Sequence, residues 1–263
     1  MIAPMAHRLA ALLWDVDGTL AETELEGHRP AFNAAFADLG LPWHWDRSTY
    51  LRLLAVSGGR ERIAAWSAEQ QGRPADPQLL EQLLQRKRLH YGERVRRGAV
   101  PLRPGVAELI REARAAGLLQ GIVTTSGRAA VQDLCDGVLG ELAGAFAFRV
   151  CGEDVQVKKP HPQAYQLALA QLASLEAQAA HAGSVLVLED SRNGLEAAVA
   201  AGLPCLITLS SLSRHEPSAA FAPARAVVDA LAVAAGPLAV RRGPACPQGV
   251  VTLSYLQSLL PPP

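Results

Sequence analysis

Short apolar runs recur along the chain, at its start and after residue 119, and predict buried strands. These runs cover residues 9–15, 120–124, 146–150, 185–189 and 204–208. Segments with helical spacing lie between them and predict helices at residues 106–116, 129–135, 163–172 and 194–201. Strand–helix alternation of this kind predicts right-handed crossovers and a parallel sheet with helices on both faces.

Residues 22–100 show a different pattern, with helical spacing and no convincing strand. Predicted helices cover residues 22–39, 50–56, 63–69 and 77–95. Glycine and proline punctuate the intervals between them. We therefore predict an α/β fold with a Rossmann-like parallel-sheet core, residues 1–21 and 101–263, and an inserted all-helical cap domain, residues 22–100. Residues 236–249 are predicted to be a loop before a short final element at 250–260.

Charge and cysteine content narrow the function class. The 25 Lys and Arg residues equal the 25 Asp and Glu residues, so no global field favours nucleic acid or an anionic membrane. The four cysteines have no metal-binding spacing and fit a reducing compartment. No apolar segment reaches transmembrane length. We expect a soluble monomer in the cytoplasm, with the plastid stroma as an alternative.

Polar residues follow the predicted strands where each one ends. Asp15, Thr124 and the Glu189-Asp190 pair occupy these positions. In open α/β sheets, ligands bind beyond the carboxyl ends of the strands. The sequence therefore predicts that these residues converge on one site.

Asp15 and Asp17 lie two residues apart, so both can face one side of an extended backbone. Gly18 then lets the chain turn away. Beside a metal ion, Asp15 would attack phosphorus and form an aspartyl-phosphate. Asp17 would protonate the leaving alkoxide and later take a proton from the attacking water.

Two further segments predict phosphate contacts. Thr124, Thr125 and Ser126 end a strand and open a helix, where hydroxyls and free amides can bind phosphate. Lys159 precedes Pro160, which favours an extended backbone from which the ammonium can project towards the phosphate. Lys158, by contrast, is predicted to be solvated surface.

Glu189 and Asp190 follow four apolar strand residues and need a partner for their charge. Mg²⁺ is the natural partner, since it prefers a few carboxylates together with substrate oxygens and water. Asp15 and Asp190 would ligate it through their side chains and Asp17 through its backbone carbonyl. Glu189 would act through water.

Taken together, Asp-x-Asp-Gly-Thr at residues 15–19, the strand-end Thr124, Lys159-Pro160 and Glu189-Asp190 resemble the haloacid dehalogenase superfamily. The resemblance implies a Rossmann-like core with a helical cap. It also implies that Asp15 and Asp17 are the nucleophile and the acid/base. A dehalogenase itself is disfavoured, because those members lack the second Asp and the magnesium site.

The cap resembles that of the CbbY-type phosphatases in residues 22–29 and 31–33, in Trp43, Trp45 and Tyr50, and in residues 58–62. This resemblance implies hydrolysis of the C1 phosphate of xylulose-1,5-bisphosphate. It also implies that the sugar and the distal phosphate contact His28, Arg29, Gly59, Arg60, Glu61 and Arg62. Glu24 would orient a sugar hydroxyl or pair with a cap arginine. Arg60, where the family has Lys, and Leu25 depart from the pattern.

Other interpretations stay open at this point. A β-phosphoglucomutase-like mutase would share the core motifs, and a phosphoglycolate-type phosphatase would not need the cap arginines. A catalytically silent sensor of phosphorylated ligands is the non-enzyme alternative, although it would need neither Asp15 nor Asp17. The basic residues 86–88 are predicted to be a solvated helix face.

Overall fold

The computed structural model describes residues 8–176, 181–246 and 248–261. Within these ranges the chain forms a seven-stranded sheet in the order β3-β2-β1-β4-β5-β6-β7. The strands are β1 Ala11–Trp14, β2 Leu119–Val123, β3 Phe148–Val150, β4 Val185–Glu189, β5 Cys205–Thr208, β6 Ala226–Val228 and β7 Val240–Arg242. Neighbouring strands are parallel except β6 and β7. The predicted α/β fold with a parallel sheet is confirmed.

The end of the sheet differs from the sequence prediction. β6 was not predicted, and the loop predicted for residues 236–249 is wrong at its start, because β7 pairs there with β6. Each of these strands has three residues. β7 lies at the sheet edge, where Arg241 and Arg242 are exposed, so no apolar run marks it.

Helices lie both in the insert and around the sheet. The insert contains α1 Arg29–Asp38, α2 Arg47–Leu53, α3 Gly59–Gln71 and α4 Pro77–Arg96. The helices after it are α5 Val106–Ala115, α6 Arg128–Leu134, α7 Gln163–Leu175, α8 Arg192–Ala200 and α9 Leu253–Ser258. Among the described residues, the segment from α1 to α4 contains helices and no strand, as predicted.

Side chains of β1 alternate between two hydrophobic clusters, one on each face of the sheet. Leu12 and Trp14 belong to one cluster, and Ala11 and Leu13 belong to the other. This follows from the two-residue period of a strand. Because both faces are buried, the strand reads as a continuous apolar run rather than an alternating one.

The insert has a separate core rich in aromatic residues. Phe36 packs edge-on against Trp43 and Trp45, with ring centroids 5.5 and 4.9 Å apart. Asp46 caps α2 through the backbone N–H of Thr49, at 2.7 Å. The tryptophans are therefore packing residues that stabilise the insert.

The helix predicted at residues 22–39 is interrupted. A π-helical turn spans Glu24–His28, and the N–H of Arg29 donates to the carbonyl of Glu24, five residues earlier. Pro30 lies in the first turn of α1 and lacks the N–H that a continuous α-helix would need. The wider turn is typical of functional sites.

The two chain segments that enter and leave the insert pair with each other. Ala21 forms an antiparallel bridge with Leu102, and the N–H of Arg103 donates to the carbonyl of Leu20 at 2.9 Å. The division at residues 21/22 and 100/101 stays a prediction. Within the described ranges, no helix has the length and apolarity needed to cross a membrane.

Candidate active site

Lys159 lies at the centre of the polar residues that follow the strands. Its ammonium donates to Oδ1 of Asp15 at 2.9 Å, to Oε1 of Glu189 at 2.6 Å and to the carbonyl of Val123 at 2.8 Å. All three side chains that form these ion pairs are buried. Burial by itself lowers the pKa of Lys159, but the Asp15 and Glu189 carboxylates outweigh it and raise the pKa above its ordinary value. The lysine is therefore a fixed cation.

Glu189 has partners on both carboxylate oxygens. Oε1 accepts from Lys159 and from the hydroxyl of Tyr165 at 2.9 Å. Oε2 accepts from the hydroxyl of Ser191 at 3.1 Å and from the N–H of Asp190 at 3.2 Å. Because these donors occupy both oxygens, Glu189 is suited to hold Lys159 in place rather than to bind a cation directly.

Asp15, Glu189 and Asp190 form a buried acidic cluster with carboxylate oxygens within 4.8 Å of one another. Burial raises the pKa values of Asp15 and Asp190, and the charge of Glu189 raises them further. The Lys159 ammonium pairs with two of these three carboxylates, Asp15 and Glu189. The donor set, oxygen ligands only, fits a hard divalent cation, and Asp15 and Asp190 are the members best placed to bind it.

Asp17 belongs to a different set of contacts. Its side chain accepts hydrogen bonds from the hydroxyls of Thr23 and Ser126, and Oδ1 lies 3.0 Å from Nε2 of His28. Burial alone would raise the pKa of Asp17. His28, Ser126 and Thr23 more than offset this and hold the pKa well below its ordinary value. Asp17 is thus ionised and oriented beside Asp15.

Lys87 supports His28 from α4, with Nζ 2.9 Å from Nδ1 of the imidazole. A charged ammonium donates to Nδ1, which leaves the proton on Nε2 to face Asp17. His28 also stacks on Tyr91, with ring centroids 4.3 Å apart. Burial lowers the pKa of Lys87 to about 8.

The prediction of a solvated face was wrong for Lys87. The signal was available, because Leu83, Lys87, Tyr91 and Val95 share one stripe of α4 at helical spacing. A lysine on an otherwise apolar stripe indicates a buried partner.

The segment after β2 lies beside Asp17. Thr124 is buried, and its hydroxyl accepts from the N–H of Ser126 at 3.1 Å. Ser126 in turn donates to Asp17, and Thr125 lines the cleft above it. These three predicted residues are brought to the same site as Asp15 and Asp17.

A cleft between the insert and the sheet leads to these residues. It consists of two cavities of about 800 and 600 Å³. Both are lined by Asp17, Glu24, Arg62 and Thr125. The larger one is also lined by predicted substrate-binding residues: His28, Gly59, Arg60, Glu61 and Ser126.

Glu24 and Arg62 are tied to each other within the insert. The hydroxyl of Tyr50 donates to Glu24, and Nη1 of Arg62 donates to that hydroxyl at 3.0 Å. Nη1 of Arg62 also lies 3.9 Å from Oε2 of Glu24. Of the two roles left open for Glu24, the structure places it beside a cap arginine.

Two other predicted residues have different surroundings. Arg29 is absent from the described lining of both cavities, and its guanidinium lies 3.5 Å from the carbonyl of Trp45. Arg60 pairs with Glu81 at the rim of the larger cavity, and 47% of its side chain is exposed. The structure therefore brings Arg60 to the cleft and leaves Arg29 in the packing of the insert.

Lys158 also lines the larger cavity, so its prediction as solvated surface was wrong. Its ammonium donates to Oε1 of Glu61 at 2.7 Å, and 21% of its side chain is exposed. Because Glu61 is in the insert and Lys158 follows β3, this ion pair joins the two sides of the cleft.

Arg103 is a buried residue that sequence reasoning missed. Its guanidinium donates to the carbonyls of Gly18, Thr208 and Leu209, and it pairs with Glu22 at 3.1 Å. It therefore holds the turn after Asp17 against the end of β5. The local sequence around Arg103 does not indicate this role, because the contacts are all with distant segments.

Comparisons with known proteins agree with this geometry. Residues 9–202 match the family model of the haloacid dehalogenase-like hydrolases. The protein CbbY of Cereibacter sphaeroides is 42% identical over 229 residues, which are 87% of this chain and 95% of that protein. The phosphoglycolate phosphatase of Yersinia pseudotuberculosis is 32% identical over 200 residues, covering 75% of this chain and 80% of that protein.

Among solved structures, CbbY from Rhodobacter sphaeroides in complex with xylulose-(1,5)-bisphosphate matches with a TM-score of 0.76 and 38% identity. The match covers 84% of this chain and 94% of that one. The chain belongs to the haloacid dehalogenase-like hydrolases. Within that family it is a phosphatase similar to the CbbY proteins.

Proposed function

We propose that the protein is a Mg²⁺-dependent phosphatase of small sugar phosphates, with xylulose-1,5-bisphosphate as the leading substrate. The convergence of Lys159 with Asp15 and Asp190, which follow the adjoining strands β1 and β4, carries the proposal, since it combines a nucleophile, a fixed cation and a cation-binding carboxylate. The complex of a CbbY relative with xylulose-(1,5)-bisphosphate supports the choice of substrate.

In the first half of the reaction, the Asp15 oxygen that is not bonded to Lys159 attacks phosphorus. The phosphorus–alkoxide bond breaks, and an aspartyl-phosphate forms. Lys159 and the hydroxyl of Thr124 bind the transferring phosphoryl group. A Mg²⁺ ion bound by Asp15, Asp190 and the backbone carbonyl of Asp17, with Glu189 acting through water, would neutralise charge on the phosphoryl oxygens.

Asp17 moves the protons in both halves. It protonates the leaving alkoxide and then takes a proton from the water that hydrolyses the aspartyl-phosphate. Three donors keep Asp17 ionised in the free protein, which suits its role as a base. A phosphate dianion beside it raises its proton affinity, because like charges repel. Substrate binding thereby lets Asp17 take up a proton from solvent, and this is the proton that it gives to the leaving alkoxide.

The insert would bind the remainder of the sugar. We assign this role to Glu24, His28, Arg29, Gly59, Arg60 and Arg62, together with Thr125 and Ser126, whereas Glu61, also predicted to contact the substrate, pairs with Lys158 in the cleft. All of these except Arg29 line the cleft. Binding energy from this remote part of the substrate can hold residues 22–100, the proposed cap, over the core and exclude water.

Phosphoglycolate is the second candidate substrate, supported by the relative that is 32% identical. It carries its phosphate and its carboxylate on only two carbons, so it would not need the arginines that the insert contributes to the cleft. The presence of Arg60 and Arg62 in the lining of the cleft therefore favours a larger substrate.

A phosphate-release screen tests the proposed function. Xylulose-1,5-bisphosphate, a hexose 1-phosphate and phosphoglycolate would be incubated with the protein, with Mg²⁺ and after chelation. We expect phosphate release only with Mg²⁺, fastest from the bisphosphate. An isomeric sugar phosphate without free phosphate would instead indicate a mutase.

The Asp15→Asn variant is the matched control for that screen. It should lose turnover while its circular dichroism spectrum stays that of the wild type, because the amide keeps the size of the carboxylate and removes the nucleophile. Persistent turnover in this variant would overturn the assignment of Asp15. We further propose a monomer that works in the cytoplasm or the plastid stroma.

A further inference from the structure

Lys158 and Glu61 form the ion pair that joins the two sides of the larger cavity, at 2.7 Å. The ammonium carries three N–H donors, and Oε1 of Glu61 uses one of them. No second acceptor is recorded for this ammonium among the residues that the structure describes. A cation with unused donors therefore faces the cleft.

Gly58 makes room for this side chain, and Gly152 lies on its other side. A Cβ atom on Gly58 would overlap Oε2 of Glu61 and Nζ of Lys158. Gly58 also has φ of +95°, a conformation that glycine adopts without strain. On the other side, a Cβ on Gly152 would lie 3.5 Å from Cε of Lys158. The pair thus lies between backbone segments of the insert and the core.

The carboxylate of Glu61 also has an unused hydrogen-bond acceptor. Oε2 of Glu61 is buried and has no hydrogen-bond partner within the described part of the chain. An unsatisfied buried oxygen costs stability. Displacing Glu61 from this position therefore costs less than breaking a fully satisfied pair would.

Lys158 is placed near the reacting groups by the chain itself. It is adjacent to Lys159, and consecutive Cα atoms lie about 3.8 Å apart. While Lys159 contacts Asp15, Lys158 projects into the same cavity that Asp17 and Ser126 line. A small sugar phosphate whose reacting end lies at Asp15 would present its other end within this cavity.

We propose that Lys158 is a specificity-determining residue that binds a second anionic group of the substrate, and that Glu61 competes with this group for the ammonium. This inference rests on the proposed sugar-phosphate phosphatase activity. A phosphate dianion attracts an ammonium more strongly than one carboxylate does, so it displaces Glu61. A substrate with no second anion leaves the pair in place and gains nothing from Lys158.

The proposal predicts that substitutions of Lys158 and Glu61 change the substrate selectivity in opposite directions. Lys158→Gln and Glu61→Gln would be compared for kcat/KM on xylulose-1,5-bisphosphate and on the corresponding 1-monophosphate. The ratio of the two values is the selectivity. We expect Lys158→Gln to lower the selectivity by about tenfold or more, because the substitution removes a charge-assisted hydrogen bond to the bisphosphate. Glu61→Gln should raise it, because the competitor has lost its charge.

If the ion pair between Lys158 and Glu61 only held the insert against the core, the kinetic result would be different. Both variants would then impair the two substrates by equal factors, the selectivity would not change, and the proposal would be wrong. A fall in selectivity in both variants would also overturn it, since Glu61 would then bind the substrate rather than compete with it.

Binding measured without turnover separates this inference from the proposed function. In an Asp15→Asn background, calorimetric titration with the same two compounds should show tighter binding of the bisphosphate, and Lys158→Gln should remove the difference. If the wild type released no phosphate from either compound, the proposed function would fail while this titration would still decide the role of Lys158. Equal affinities in the Asp15→Asn background would overturn that role.

Gly58→Ala and Gly72→Ala form a matched pair of backbone controls. Both glycines have positive φ, but a Cβ on Gly72 meets nothing within 4 Å, whereas one on Gly58 overlaps the ion pair. We expect Gly58→Ala to change the selectivity and Gly72→Ala to leave it unchanged. Equal changes in both variants would assign the effect to backbone strain and contradict the proposal.

Discussion

The carboxylate of Asp190 occupies the space that a side chain on Gly18 would need. A Cβ atom on Gly18 would overlap Oδ2 and Cγ of Asp190 and would lie 3.1 Å from Cβ of Ser210. Two motifs separated by most of the chain are therefore coupled by packing. The glycine that follows Asp17 allows Asp190 to approach Asp15.

Gly18→Ala should weaken Mg²⁺ binding by about tenfold or more, because the new methyl group displaces Asp190 and φ of +88° strains alanine. Calorimetric titration with Mg²⁺ measures this. Gly40→Ala is the matched control, since Gly40 has φ of +65° and open space around it. Equal Mg²⁺ affinities in both variants would contradict the coupling of Gly18 to Asp190.

Asp190→Asn should stabilise the protein in the absence of metal. Burial raises the pKa of Asp190, so its stability contribution is present at low pH and is lost as the pH rises and the carboxyl ionises. Above the ordinary pKa of an aspartate, the raised pKa of Asp190 therefore opposes folding. The melting temperature of the metal-free variant should therefore exceed that of the wild type, by about 2–4 °C for each kcal/mol gained.

The same variant should lose the rise in melting temperature that Mg²⁺ gives the wild type, because a ligand of the cation is gone. The gain without metal should shrink as the pH is lowered, since the wild-type carboxyl is then neutral. Differential scanning calorimetry at several pH values measures both effects. A lower melting temperature without metal at pH 8 would contradict the prediction.

Lys87→Met should lower kcat by about tenfold or more at pH 7, because His28 loses the donor that directs its other nitrogen to Asp17. The pKa of Lys87 is lowered to about 8, so its ammonium loses its proton as the pH rises through that value. The wild-type kcat should fall over this interval, and the variant should lack that fall. Arg86→Met, on the exposed side of α4, is the control. Identical pH profiles for the wild type and Lys87→Met would contradict this role.

Arg60→Ala should raise KM for a sugar bisphosphate more than for the corresponding monophosphate, by about three- to tenfold. Arg60 lies at the rim of the cleft, where its ion pair with Glu81 is largely exposed and weak. Arg52 is a matched control, because it forms an exposed ion pair with Glu69 and is absent from the described cavity linings. Steady-state kinetics on both substrates decides the outcome. Equal changes in KM for the two substrates would contradict a role of Arg60 in binding the distal phosphate.

The hydrophobic pattern along the sequence was enough to predict most strands of the sheet. Five of the seven strands coincide with the predicted apolar runs, because a strand buried on both faces is mostly apolar, although Gln120 in β2 and Arg149 in β3 are polar. β6 and β7 were missed because each has three residues, and β7 is an exposed edge. The helix predicted at residues 22–39 was interrupted by the π-helical turn, which moves His28 towards Asp17.

The sequence by itself determined that Asp15, Thr124 and Asp190 meet, because parallel strands bring their carboxyl ends to one edge of the sheet. The tertiary structure alone decided how Lys87 and Lys158 are used. Lys87 reaches His28 across 59 sequence positions, and Lys158 reaches Glu61 across 97. Such contacts depend on how the insert packs over the sheet. The local sequence around Lys158 is like that of a solvated lysine, and the apolar stripe around Lys87 indicates burial without identifying His28 as its partner.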